Sequence, residues 1–135
     1  GIAELEKAVG LNPYFAEGQS NLGSFLLQRG RLPEAAAHLT EAVRLDPRLS
    51  EARGNLGAAL LQMGRQGDAI DQFREALRLK SDNFTARFNL GCTLMYAGEY
   101  REAVEHLEAA LRINSSDTDV QAKYREALDL LSRSH

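Results

Sequence analysis

Apolar residues in this chain recur at steps of three and four, and glycine or proline breaks the pattern at regular intervals. Between Ala16 and Leu49, one stripe is formed by Leu22, Phe25 and Leu26 and a second by Ala35, Leu39, Ala42 and Val43. Such spacing puts each set on one face of an amphipathic helix. Gly30 stands between the stripes, where a left-handed residue closes a helix without a Cβ penalty. Pro47 follows the second stripe, and its ring disfavours helical conformation in the residue before it. The stretch therefore predicts a helical hairpin with a glycine-marked turn and a proline-marked end.

The hairpin is repeated. Asn21-Leu22-Gly23 returns as Asn55-Leu56-Gly57 and as Asn89-Leu90-Gly91, each copy displaced by 34 residues with no insertion between copies. Gly30, Gly64 and Gly98 keep the same step, as do Ala35, Ala69 and Ala103. Two further columns are Ala8, Ala42, Ala76, Ala110 and Leu11, Leu45, Leu79, Ile113. A period of this size marks stacked units that bury a continuous core. Pro13 and Pro47 share the break column with Ser81 and Ser115, so the later breaks are expected to be softer. The glycine at 23, 57 and 91 falls mid-helix, where it costs about 1 kcal/mol relative to alanine. Three copies in register point to a close approach, expected from the backbone of the small column Ala35, Ala69 and Ala103.

Leu22-Gly23, Leu26, Ala35, Leu39 and Pro47 together resemble the 34-residue tetratricopeptide repeat. The resemblance implies an all-α, right-handed solenoid of antiparallel hairpins. It divides one domain, 1–135, into a second helix of a preceding repeat (1–15), three repeats (16–49, 50–83, 84–117) and a C-terminal helix (118–135). The chain departs from the family pattern at Gln19, Arg53 and Arg87, where tryptophan is common, and at Leu26, Leu60 and Leu94, where tyrosine is common.

The two ends read differently. Thr118 to Arg133 carries Tyr124 and Arg125 in place of Leu-Gly, which would block a further second helix. It reads as a cap covering the last hairpin with Val120, Tyr124, Ala127, Leu128 and Leu131, while Gln121, Lys123, Arg125, Glu126 and Asp129 face water; a degenerate repeat is the alternative. At the front, Leu5, Ala8, Val9 and Leu11 lack an upstream partner. Either the natural protein continues upstream, which is the favoured reading, or residues 1–12 pair with another molecule, including a second copy.

Composition narrows the chemistry. Of the 135 residues, 44% are hydrophobic, and 26% are charged with a net of −3, so there is no basic stripe for nucleic acid. No apolar run approaches the roughly 18–20 residues of a membrane span, and no targeting signal is legible. Cys92 has no second cysteine to pair with, which favours a reducing compartment such as the cytoplasm. His38 and His106 share a column two units apart, too distant for one metal ion, and each is expected on the outer face beside Glu34 or Glu102. Gly54-Asn55-Leu56-Gly57 sits within a helix and is not a phosphate loop. No nucleophile and base pattern is present, so no enzymatic activity, metal or cofactor is expected.

Function is expected on the face of each first helix that does not pack. By helical phase this face carries Ser20, Asn21, Ser24, Leu27 and Gln28, then Gly54, Asn55, Ala58, Leu61 and Gln62, then Phe88, Asn89, Cys92, Met95 and Tyr96. Leu27, Leu61 and Met95 would form an apolar strip. The carboxamides of Asn21, Asn55 and Asn89 offer donor and acceptor to the backbone of an extended peptide, or satisfy hydrogen bonds between helices. The ladder resembles the asparagines lining the peptide groove of O-linked N-acetylglucosamine transferases. Phe88 and Tyr96 are candidates for specificity, with a core role for Phe88 as the alternative. Cys92 reads as a groove-lining hydrophobe. Repeats that grip chaperone C-termini use lysines and an arginine where this chain has Ser20, Ser24, Asn55, Thr85 and Asn89, so a chaperone-tail adaptor is disfavoured. The expected function is a scaffold binding an extended peptide of a partner protein. The alternatives are a targeting domain of a larger enzyme, such as a glycosyltransferase, and a homo-oligomerisation module.

Overall fold

The computed structural model describes residues 2–11 and 15–134. These form α1 (Ile2–Leu11), α2 (Ala16–Gln28), α3 (Leu32–Leu45), α4 (Ser50–Gln62), α5 (Gln66–Leu79), α6 (Phe84–Tyr96), α7 (Tyr100–Ile113) and α8 (Thr118–Arg133), with no strand among the described residues. Helix lengths repeat with the sequence: α2, α4 and α6 have 13 residues each, and α3, α5 and α7 have 14.

The glycine turns form as the pattern requires. Gly30, Gly64 and Gly98 have φ of 75°, 81° and 86°. In each, the glycine N–H donates to the carbonyl three residues back and the next N–H to the carbonyl five back, as in Gly30 to Leu27 and Arg31 to Leu26, both at 3.0 Å. This double closure satisfies two carbonyls at the helix end. The softer breaks expected at Ser81 and Ser115 are not seen. Asp46, Lys80 and Asn114 end their helices with the same bond to Ala42, Ala76 and Ala110, at 2.9, 2.9 and 3.0 Å. The stop lies one residue before the proline column, so proline is not required for it. Pro13, and the side chains of Ala8, Val9 and Leu11, fall outside the described residues.

The core runs through all the hairpins. Leu22, Leu26, Ala35 and Leu39 are buried in the first unit, Leu56, Leu60, Ala69 and Phe73 in the second, and Leu90, Leu94, Ala103 and Leu107 in the third. Ile2 and Leu5 of α1 pack against this cluster. The mid-helix glycines do admit a close neighbour, but chiefly a large side chain rather than the alanine backbone. A Cβ at Gly23 would lie 2.5 Å from Cγ of Leu39, at Gly57 2.6 Å from Cε1 of Phe73, and at Gly91 2.8 Å from Cγ of Leu107. At Gly23 the alanine backbone also comes near, with the Ala35 carbonyl oxygen at 3.3 Å. The glycine column is thus a socket for the bulky residue one turn along the second helix.

Polar bridges occupy the seam where the family has tryptophan. His38 Nδ1 meets Gln19 Oε1 at 2.8 Å, Arg53 donates to Gln72 Oε1 at 3.2 Å, and the Arg87 guanidinium donates to His106 Nδ1 at 3.1 Å. Both histidines are therefore half-buried between two helices and not on the outer face. His38 is bonded to Gln19 in place of the expected Glu34, whereas His106 does reach Glu102, at 3.2 Å.

The inner and outer rows differ in spacing, and this gives the stack its curve. The first helices α2, α4, α6 and α8 each pack on the next, while α3, α5 and α7 make no such approach to one another. Between α5 and α7 the gap is bridged by long side chains, Arg74 to Glu102 at 2.7 Å. First helices close together on one side and second helices spread on the other leave a concave face lined by the first row.

Candidate peptide-binding groove

The concave face is built from a few columns of α2, α4, α6 and α8. Asn21, Gln28, Gln62 and Tyr96 are exposed, and Ser24, Leu27, Asn55, Leu61, Phe88, Asn89 and Cys92 are half-buried. Two expected lining residues are buried instead: Ala58 is 8% exposed and Met95 2%. Met95 belongs instead to the core cluster. The apolar strip therefore consists of Leu27 and Leu61 alone. Ser20 and Gly54 are also buried, at the junction with the following unit.

The asparagine column is partly engaged. Asn89 donates through Nδ2 to the Thr85 carbonyl at 2.9 Å, which anchors the side chain along its own helix. Thr93 similarly donates to the Asn89 carbonyl at 2.7 Å. Phe88 takes the core role given as the alternative: it packs against the core and stacks on Phe84, with centroids 6.1 Å apart and rings 3° from parallel. Cys92 is held as a neutral thiol, pushed up to about 11 by burial, which suits a small apolar surface and not a nucleophile.

α8 packs on the last hairpin. Val120 and Ala127 are fully buried, and Tyr124 and Leu130 pack against the core. Leu130 takes the place assigned to Leu128, which is 40% exposed, because the last hairpin decides which side of α8 is covered. Lys123, expected to face water, instead lies over the Tyr96 ring at 5.0 Å and donates to its hydroxyl. That hydrogen bond raises the Lys123 pKa above the ordinary lysine value. Lys123 stands one repeat step after Asn89, so register alone could have placed it at the end of the asparagine column.

At the other end the groove is acidic. Glu17 and Glu51, a repeat apart, flank a pocket of about 230 Å³ lined also by Ser20, Asn21 and Leu49. Sequence reasoning missed both glutamates, although they share the column of Thr85. Among the described residues no cluster of three or more His, Cys, Asp or Glu could hold a metal ion, and no helix is long and apolar enough to cross a membrane.

The tetratricopeptide repeat family matches residues 14–82 and, in a second match, 84–117. The chain belongs to this family. A search with the sequence finds no matching curated protein. Among solved structures, the fold is similar to the first tetratricopeptide repeat domain of Spaghetti (RPAP3), solved bound to the HSP90 peptide SRMEEVD. The TM-score there is 0.79 at 18% identity, over 87% of this chain and 93% of that one. It is also similar to MamA protein, with a TM-score of 0.74 at 23% identity, over 97% of this chain and 77% of that one. Identities this low carry the fold of the tetratricopeptide repeat chain and nothing finer.

Proposed function

We propose that this tetratricopeptide repeat domain is a protein-interaction scaffold whose concave face holds an extended segment of a partner. The observation that carries the reading is the groove-facing column of Asn21, Asn55 and Asn89 beside the half-buried Leu27 and Leu61. Carboxamides in register at one-unit intervals match the repeating donors and acceptors of an extended backbone, and the two leucines add sequence-tolerant apolar contact. The similar Spaghetti domain, solved with a peptide, supports this use of the fold. The lysines and arginine of a carboxylate clamp are absent from Ser20, Ser24, Asn55, Thr85 and Asn89, so a chaperone-type acidic tail is not the proposed ligand.

The test is selection from a displayed library of short random peptides, repeated with an Asn55→Ala, Asn89→Ala variant of unchanged helicity. The parent is expected to enrich a common set that the variant binds weakly. Equal binding by the variant would remove the asparagines from the mechanism.

A further inference from the structure

We infer that the pocket between the starts of α2 and α4 is a socket for one basic side chain, lysine or arginine, of the peptide; this rests on the groove reading above. Its volume of about 230 Å³ lies below the roughly 300–1,000 Å³ of pockets that enclose a drug-sized ligand. One long side chain is the matching cargo.

The first observation is an orphaned hydroxyl. Ser20 lines this pocket at 3% exposure, and its Oγ has no hydrogen-bond partner. Buried polar groups in native structures are nearly always bonded, so an exception points to a missing partner. The neighbouring unit shows how the partner is lost. There Asn83 fills the corresponding junction, with Nδ2 on the Ser50 carbonyl at 3.1 Å and on Ser50 Oγ at 2.9 Å, and Gly54 makes room for the carboxamide. One repeat earlier, Leu49 stands in place of Asn83 and Ser20 in place of Gly54. Leucine offers no polar atom, and the hydroxyl is left unanswered.

The second observation is charge. Glu17 and Glu51 are exposed at the rim and take part in no ion pair among the described residues, and no lysine or arginine lines the pocket. Lys80 stands in the adjoining pocket on the far side of Glu51 without pairing to it. Phe15 and Leu49 leave the starts of α2 and α4 without side-chain caps, but the two helix ends together carry only about one positive charge against two full carboxylates. Carboxylates accept and never donate, while an ammonium brings three donors and a guanidinium five. A cation can therefore answer Glu17, Glu51 and the Ser20 oxygen together. Lys123 at the opposite end of the groove makes that end unsuitable for the same side chain.

The experiment uses peptides selected from the random library on the parent domain. Lysine or arginine is expected at one fixed position of the enriched set, and replacing it with methionine should weaken binding by about three- to tenfold. Glu17→Gln with Glu51→Gln should bind the basic and methionine peptides alike, and added salt should narrow the gap for the parent. Ser20→Ala should lower affinity for the basic peptide about twofold to tenfold while leaving the methionine peptide unchanged. Enriched peptides without a fixed basic position, or a glutamine variant that discriminates as the parent does, would overturn the socket and leave the groove reading intact. No enrichment at all would overturn both. Should the double variant fail to fold, Ser20→Ala decides: equal affinity for the basic peptide would overturn the socket.

Discussion

Two chemically identical substitutions should move stability in opposite directions, because one glycine is a socket and the other is not. In Gly57→Ala the new methyl would lie 2.6, 2.7 and 3.1 Å from Cε1, Cδ1 and Cζ of Phe73. The ring is fully buried, so it cannot swing into solvent as a flexible chain end could. Overpacking of this kind costs about 1–3 kcal/mol, and contact with three atoms of a rigid ring puts it at the upper end. Alanine returns about 1 kcal/mol of helix propensity, leaving a net loss of about 2 kcal/mol. In Gly67→Ala, near the start of α5, nothing lies within 4 Å of the added carbon. Only the gain remains, about 0.4–1 kcal/mol. Urea unfolding followed by circular dichroism should separate the two variants by about 2–3 kcal/mol on either side of the parent. A Gly57→Ala protein as stable as Gly67→Ala would refute the close-contact account of the glycine column.

Asn83→Ala should lose about 2 kcal/mol in the same assay, since it removes the cap on Ala86 at 3.0 Å and both bonds to Ser50; a loss no larger than that of an exposed alanine substitution would contradict the bridging role. Cys92, with its thiol pushed up to about 11, should react with iodoacetamide near pH 8 on the order of a hundredfold more slowly when folded than in urea, and equal rates would refute its burial. For His106, burial pushes the pKa below its ordinary 6.5, outweighing the raising effect of Glu102, while Arg87 and Arg74 push the same way as burial. A lowered folded pKa means that the unfolded state takes up the proton first, so the stability it contributes is present above about 6.5 and is lost as pH falls through the folded value. His106→Gln, which copies the Gln72 partner of Arg53, should flatten the stability profile just below pH 6.5, and an unchanged profile would assign that slope elsewhere.

The period, the helix ends and the continuous core were legible in the chain because each has a local cause. Gly30, Gly64 and Gly98 announce left-handed closures that depend only on their own turn, and the observed φ values follow. Even the helix stops at Asp46, Lys80 and Asn114, which the proline pattern explained incompletely, recur at the 34-residue step.

What lies at the junctions was settled only by the packing of one helix on another. Helical phase puts Met95 in the same column as Leu27 and Leu61, yet Met95 is buried in the core cluster while the others stay half-open. Phase likewise cannot distinguish Leu128 from Leu130 until the last hairpin selects the buried side of α8. A mid-helix glycine reports that something comes close; that Leu39, Phe73 and Leu107 fill the space is a property of the partner helix. The orphaned Ser20 belongs to the same class. Its environment is set by Leu49, 29 residues away, and burial is a property of the pair of surfaces, not of either stretch of chain.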